Sequence, residues 1–139
     1  MFKIQNNDSF RYFHFENYIV TIVNSRSLCF VNNFLDITVN DDFLDLDYDT
    51  QRFILYHELG HIHYEHMFRS NFKHKMYRLR RKLFQPFGLV VKEEIQADFF
   101  AVKKMGKTKA IKAITETMKL FNSPRELMTR RLLIKLFCK

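Results

Sequence analysis

Tryptophan is absent from this 139-residue chain, and it holds only three glycines, two prolines and two cysteines. So few turn-forming residues argue against a turn-rich β-barrel and for long helices joined by short connections. Cys29 and Cys138 form no Cys-x-x-Cys pair. Nothing in their spacing requires a disulfide, and two free thiols in a reducing compartment is the simpler reading. No uninterrupted apolar run approaches the ~20 residues of a membrane span, and residues 1–8 lack the apolar core of a signal peptide. These absences predict a cytoplasmic protein without a transmembrane segment.

What is present is apolar bulk and uneven charge. Apolar residues make up 47% of the chain, with sixteen phenylalanines, which excludes disorder as the default. The length predicts a single domain over residues 1–139. Net charge is +8, but residues 1–50 carry three Lys/Arg against eight Asp/Glu, whereas residues 51–139 carry twenty against seven. The basic part could favour acidic partners, although the solvated outer faces of helices account for most of it.

Patterning divides the chain into two regions, with residues 1–48 mainly strands and residues 49–139 mainly helices. Residues 11–15, 18–23 and 27–31 are rich in β-branched and aromatic side chains and are bounded by Asn, Asp or Ser. Residues 35–40 alternate apolar and polar, as a half-buried strand does. Residues 41–49 read as an acidic connector in which Asp49 or Thr50 caps the next helix. That helix is predicted over residues 51–70. Four consecutive apolar residues, Phe53, Ile54, Leu55 and Tyr56, mark it as buried on most sides. Gly60 in its interior predicts close approach of another backbone, such as a strand or bound peptide.

This helix carries His57-Glu58-Leu59-Gly60-His61. Residues i and i+4 share a helix face, so His57 and His61 can bind one zinc ion through a nitrogen each. Glu58, about 100° further round the helix, can stand beside the metal and act as catalytic acid/base. The pattern is the HExxH of metallopeptidases. Residues 64 and 67, where a longer motif would place further groups, are Tyr64 and Met67. His66 is a candidate substrate contact. Residues 72–83 predict an amphipathic helix with Phe72, Met76, Leu79 and Leu83 on its apolar face and six Lys/Arg in residues 73–82.

A further helix, from residue 92 to near Gly106, carries Glu94 and Asp98 at i and i+4. Glu94 is the expected third zinc ligand, with Glu93 as its competitor. Asp98 is expected to accept the outer N–H of a ligand histidine and fix its tautomer. Beyond it, residues 108–121 predict a helix with Ala110, Ile111, Ile114, Met118 and Leu120 inward. Residues 123–126 read as a capping box. The last helix is expected to pack through Leu127, Leu132, Leu133, Leu136 and Phe137, with its Lys/Arg in solvent.

The combination of Val39-Asn40, Arg52-Phe53, His57-Glu58-Leu59-Gly60-His61 and the run from Glu94 to Ala101 resembles the ImmA/IrrE-type metallopeptidases. It is also similar to the catalytic core of HtpX and CAAX-protease-like enzymes, which share an ExxxD helix. The resemblance covers roughly residues 35–105. It implies an α+β, zincin-like fold in which a small N-terminal sheet packs on an active-site helix and further C-terminal helices. It also implies a gluzincin-like zinc metalloendopeptidase, acting on a protein or peptide substrate and regulatory in role. His57, His61 and Glu94 would be ligands, Glu58 the acid/base and Asp98 their support. His66, His74, Tyr64 and Tyr77 are candidates for stabilising the oxyanion, and the substrate strand is expected along an edge of the N-terminal sheet, at residues 35–40. The rival reading is a non-catalytic scaffold that binds nucleic acid or a protein through its basic helical face; it is the less favoured.

Overall fold

A computed structural model of the chain describes residues 1–7, 10–31, 36–66, 71–120 and 124–138, with the backbone alone at 71–74 and 124. The fold is α+β. Among the described residues five strands come first: β1 (Gln5–Asn6), β2 (Arg11–Phe15), β3 (Tyr18–Ile22), β4 (Cys29–Val31) and β5 (Ile37–Val39). Six helices follow among the described residues: α1 (Asp41–Leu44), α2 (Tyr48–His63), α3 (Asn71–Phe84), α4 (Lys92–Met105), α5 (Lys107–Leu120) and α6 (Pro124–Phe137). A single 3₁₀ turn, Gln85–Phe87, separates α3 from α4.

The sheet order is β1-β2-β3-β5-β4. β2 and β3 form an antiparallel hairpin, β5 runs parallel to β3, and β4 closes the far edge antiparallel to β5. Alternation along β2 and β3 turns Phe13, Phe15, Val20 and Ile22 inward, as the period of two requires. They meet Phe53, Leu55, Tyr56 and Leu59 of α2 in one core, with Ala101 of α4 and Ile114 of α5 behind them. The Tyr56 hydroxyl donates to Glu16 at 2.6 Å, which ties the β2–β3 turn to the central helix.

Several expectations are corrected here. The strand β5 lies inside the sheet, between β3 and β4, so residues 37–39 cannot receive a substrate strand; Leu35 lies outside the described residues. The acidic connector is not all loop, because Asn40 accepts from the Phe43 N–H at 3.1 Å and starts the short helix α1. The cap of α2 is Asp47, which accepts from the N–H groups of Asp49 and Thr50, so the helix begins earlier than expected. It also ends earlier, at His63. The backbone approaching Gly60 is neither strand nor peptide but α4: an added Cβ would stand 2.8 Å from the Ala97 α-carbon.

The later helices depart from their patterns too. On α3, Met76, Leu79 and Leu83 are exposed instead of packed, because the other face of the helix meets buried glutamates; the Phe72 side chain lies outside the described residues. On α5, Ala110 and Ile114 are buried but Leu120 is exposed; Phe121 lies outside the described residues, as does Ser123 of the capping box. On α6, Leu127 and Ile134 are buried, while Leu132, Leu136 and Phe137 are more than half exposed. Arg130, expected in solvent, is buried instead.

Candidate metal centre

Two helices supply the site. Packing of α2 on α4 at Gly60 and Ala97 brings His57, His61 and Glu94 together, all buried, with one donor atom of each within 4.8 Å of the others. His57 Nε2 lies 3.1 Å from His61 Nε2 and 3.4 Å from Glu94 Oε2. His61 Nε2 lies 3.7 Å from Glu94 Oε1. Donors around a tetrahedral zinc stand roughly 3.3 Å apart for bonds near 2.0–2.1 Å, so the three separations fit one small cation. The donor set fits as well, since two imidazoles and a carboxylate leave the open position that catalytic zinc sites keep. Glu93, the competing ligand, instead accepts from Arg80 at 3.1 Å.

Behind the cradle stands a buried ion pair. His57 Nδ1–H donates to Asp98 Oδ1 at 2.9 Å. Arg130 of α6 donates to both oxygens of the same carboxylate, at 2.7 and 2.5 Å. Burial works against the Asp98 charge, but the Arg130 guanidinium holds its carboxyl below the usual carboxylate range. Sequence reading missed Arg130; its only signal is an arginine on a helix that otherwise carries apolar residues to the core.

The buried donors shift one another's titration. Burial and Arg130 pull the His57 imidazole down, but hydrogen bonds to Asp98 and Glu94 outweigh them and push it up to about 9. Burial and the neighbouring His57 charge bring His61 down to about 3. Glu94 would rise on burial, yet its hydrogen bond to His57 holds it well below the carboxylate range.

Glu58 is half-buried and lines the same cleft. Burial raises its carboxyl to about 7; the Glu94 charge adds to this while His57 opposes it. A carboxyl poised there can both take and return a proton near neutrality. From the opposite wall, α3 sends in the Tyr77 hydroxyl, which donates to Glu94 Oε1 at 2.5 Å, and Arg81, 3.5 Å from the same oxygen. Burial and the Glu94 charge raise the Tyr77 phenol, so it stays a donor.

The cleft has a volume of about 730 Å³. Its further walls are β4 with the preceding residues 26–28, which brings Cys29 near Glu58. Both cysteines are free thiols. His66 lines the cleft and is buried, with its ring nitrogens turned to His61 and Gln96. Tyr64 and His63 lie exposed outside it, and the His74 side chain lies outside the described residues.

Among the described residues no helix is long and apolar enough to cross a membrane. The sequence pattern of one family, peptidase U49, matches residues 36–131, a span that takes in the whole cradle, Asp98 and Arg130. No curated protein and no solved structure matches the chain.

Proposed function

The chain belongs to the peptidase U49 family, and from that premise we propose that it is a zinc-dependent endopeptidase of the HExxH, zincin-like type. In this reading His57, His61 and Glu94 hold the ion, Glu58 is the general base and acid, and Asp98 with Arg130 supports His57. The observation that carries it is the convergence of two imidazoles from α2 and one carboxylate from α4, with donor atoms within 4.8 Å of one another. A zinc ion held there would acidify a water molecule and polarise a carbonyl.

The chain's own groups do the rest. Glu58 takes a proton from the attacking water and delivers it to the leaving amide nitrogen. Asp98 accepts the Nδ1–H of His57 and leaves Nε2 as the free donor atom. Tyr77 is the group within reach of the developing oxyanion, since its hydroxyl already points at the cradle. The peptide would lie extended beside β4, the sheet edge that walls the cleft, and backbone hydrogen bonds would set its register. The resemblance to ImmA/IrrE-type enzymes extends the proposal to a regulatory protease acting on one protein. The scaffold reading is weaker because Arg80 and Arg81 of the basic helix are turned to Glu93 and Glu94.

The test compares zinc content with cleavage of an unfolded protein. Glu58→Gln is expected to keep stoichiometric zinc and to lose cleavage by roughly 10²–10⁴-fold. Glu94→Ala is expected to lose the metal. Undiminished cleavage by Glu58→Gln would overturn the assignment.

A further inference from the structure

We propose that His66 and Gln96 form a relay that fixes the tautomer of His61 and aims its Nε2 into the cradle. This positioning role rests on the metal reading above. It begins with how α2 ends. Past His63 the chain turns back through Glu65 at φ 55°, a left-handed conformation that costs a side-chain-bearing residue roughly 1–2 kcal/mol. The His66 N–H donates to the His61 carbonyl and the Glu65 N–H to the Ile62 carbonyl, both at 3.0 Å. This nested pair is a Schellman cap, which places the residue after the left-handed one over the residue five before it. In such caps the two frequently make an apolar contact. Here they are His66 and His61, buried together, with the Tyr64 ring stacked on His66 at 5.7 Å.

Proton counting then gives the direction of the chain. Gln96 Oε1 has only lone pairs to offer, so His66 Nε2–H donates to it at 3.2 Å. A neutral imidazole carries one N–H, so in the neutral form that the metal reading requires, His66 Nδ1 is a lone pair. At 2.8 Å from it, His61 Nδ1 is therefore the donor. His61 is left with its lone pair on Nε2, the atom 3.1 Å from His57 Nε2. The reverse order would put a proton on that atom and close the cradle to a cation. Asp98 performs the same service for His57 with a carboxylate; the relay does it with neutral groups.

The test titrates the metal-free full chain with zinc against a chromophoric chelator, in wild type, His66→Phe, Gln96→Leu and the double variant. His66→Phe keeps a ring in place but removes the acceptor, and it is expected to weaken zinc binding 10–100-fold. Gln96→Leu is expected to weaken it by a smaller factor. Because the two act in series, the double variant should lose no more than His66→Phe alone, whereas independent packing effects would add. Unchanged affinity in either single variant, or additive losses in the double, overturns the relay and leaves the metal reading standing. Should His66→Phe fail to fold, Gln96→Leu decides alone. A wild-type chain that takes up no zinc overturns both.

Discussion

Gly60 sits between the two histidines of the motif, and its missing side chain sets how closely the two helices of the site pack. A methyl group there would meet the Ala97 α-carbon at 2.8 Å and the Ala97 carbonyl oxygen at 3.1 Å, atoms of a helix backbone that cannot rotate away. Alanine would gain about 1 kcal/mol of helix propensity, but α2 and α4 would have to part. Gly60→Ala is expected to lower unfolding free energy by roughly 1–3 kcal/mol in urea denaturation and to weaken zinc binding, because the parting separates His57 and His61 from Glu94. A variant as stable as wild type would show that the helices can slide. Arg130 is a second such residue. Arg130→Met would leave Asp98 buried without its guanidinium, a loss of about 3–5 kcal/mol. The sign with pH follows from the depressed Asp98 carboxyl. Its stabilisation is present above the unfolded carboxylate range and is lost as pH falls through the lowered folded value. Without Arg130 that loss begins at higher pH, so the acid-unfolding midpoint of Arg130→Met should move up.

At the scale of elements, α3 separates what sequence can tell from what it cannot. Its apolar residues recur with helical spacing, and a helix forms; the spacing does not say which face meets the protein. Tyr77, Arg80 and Arg81 turn inward because Glu93 and Glu94 are buried opposite them, and an unpartnered buried carboxylate costs more than exposed Met76, Leu79 and Leu83 recover. The strand-then-helix order was legible from composition, and so were the two i, i+4 pairs, since each is a local consequence of helix geometry. Arg130 was not, because its meeting with Asp98 depends on where α6 docks. Nor was the helix α1, which hangs on one Asn40 cap, nor the placement of His66, which depends on a left-handed turn that Glu65 does not announce. The inward face of α3 carries its own prediction. If Tyr77 stabilises the oxyanion, Tyr77→Phe should lower kcat by about 10²–10³-fold with zinc content unchanged. A loss of zinc with kcat per bound ion preserved would instead make Tyr77 a support for Glu94.

Across the whole molecule the charge distribution points to the same place. Of the seven acidic residues after position 50, five are Glu58, Glu93, Glu94, Asp98 and Glu126, which line the cleft or pair with Arg130. Facing them are Arg80, Arg81 and Arg130. With every carboxylate ionised the cluster is two negative charges in excess, and one divalent cation would balance it. In the metal-free protein part of that excess is taken up by protons: His57 is pushed up to about 9 and Glu58 to about 7. Zinc requires a neutral imidazole at His57, so binding near pH 7 must expel the His57 proton. Affinity is therefore expected to rise about tenfold per pH unit towards pH 9, where a free histidine would have levelled off near 6.5. Calorimetry in buffers of different ionisation enthalpy at pH 7 should register about one proton released per ion. No release would mean that His57 is already neutral without metal. If the folded chain holds zinc in this cradle and the unfolded chain does not, zinc at a thousandfold its Kd should also add about 4 kcal/mol of stability. For a chain of this size that is a rise of roughly 8–16 °C in Tm, reversed by a chelator. Because the His57 proton competes, the rise in Tm at a fixed zinc concentration should shrink as pH is lowered from 8 to 6. A shift that stayed constant over that range would place the ion away from His57.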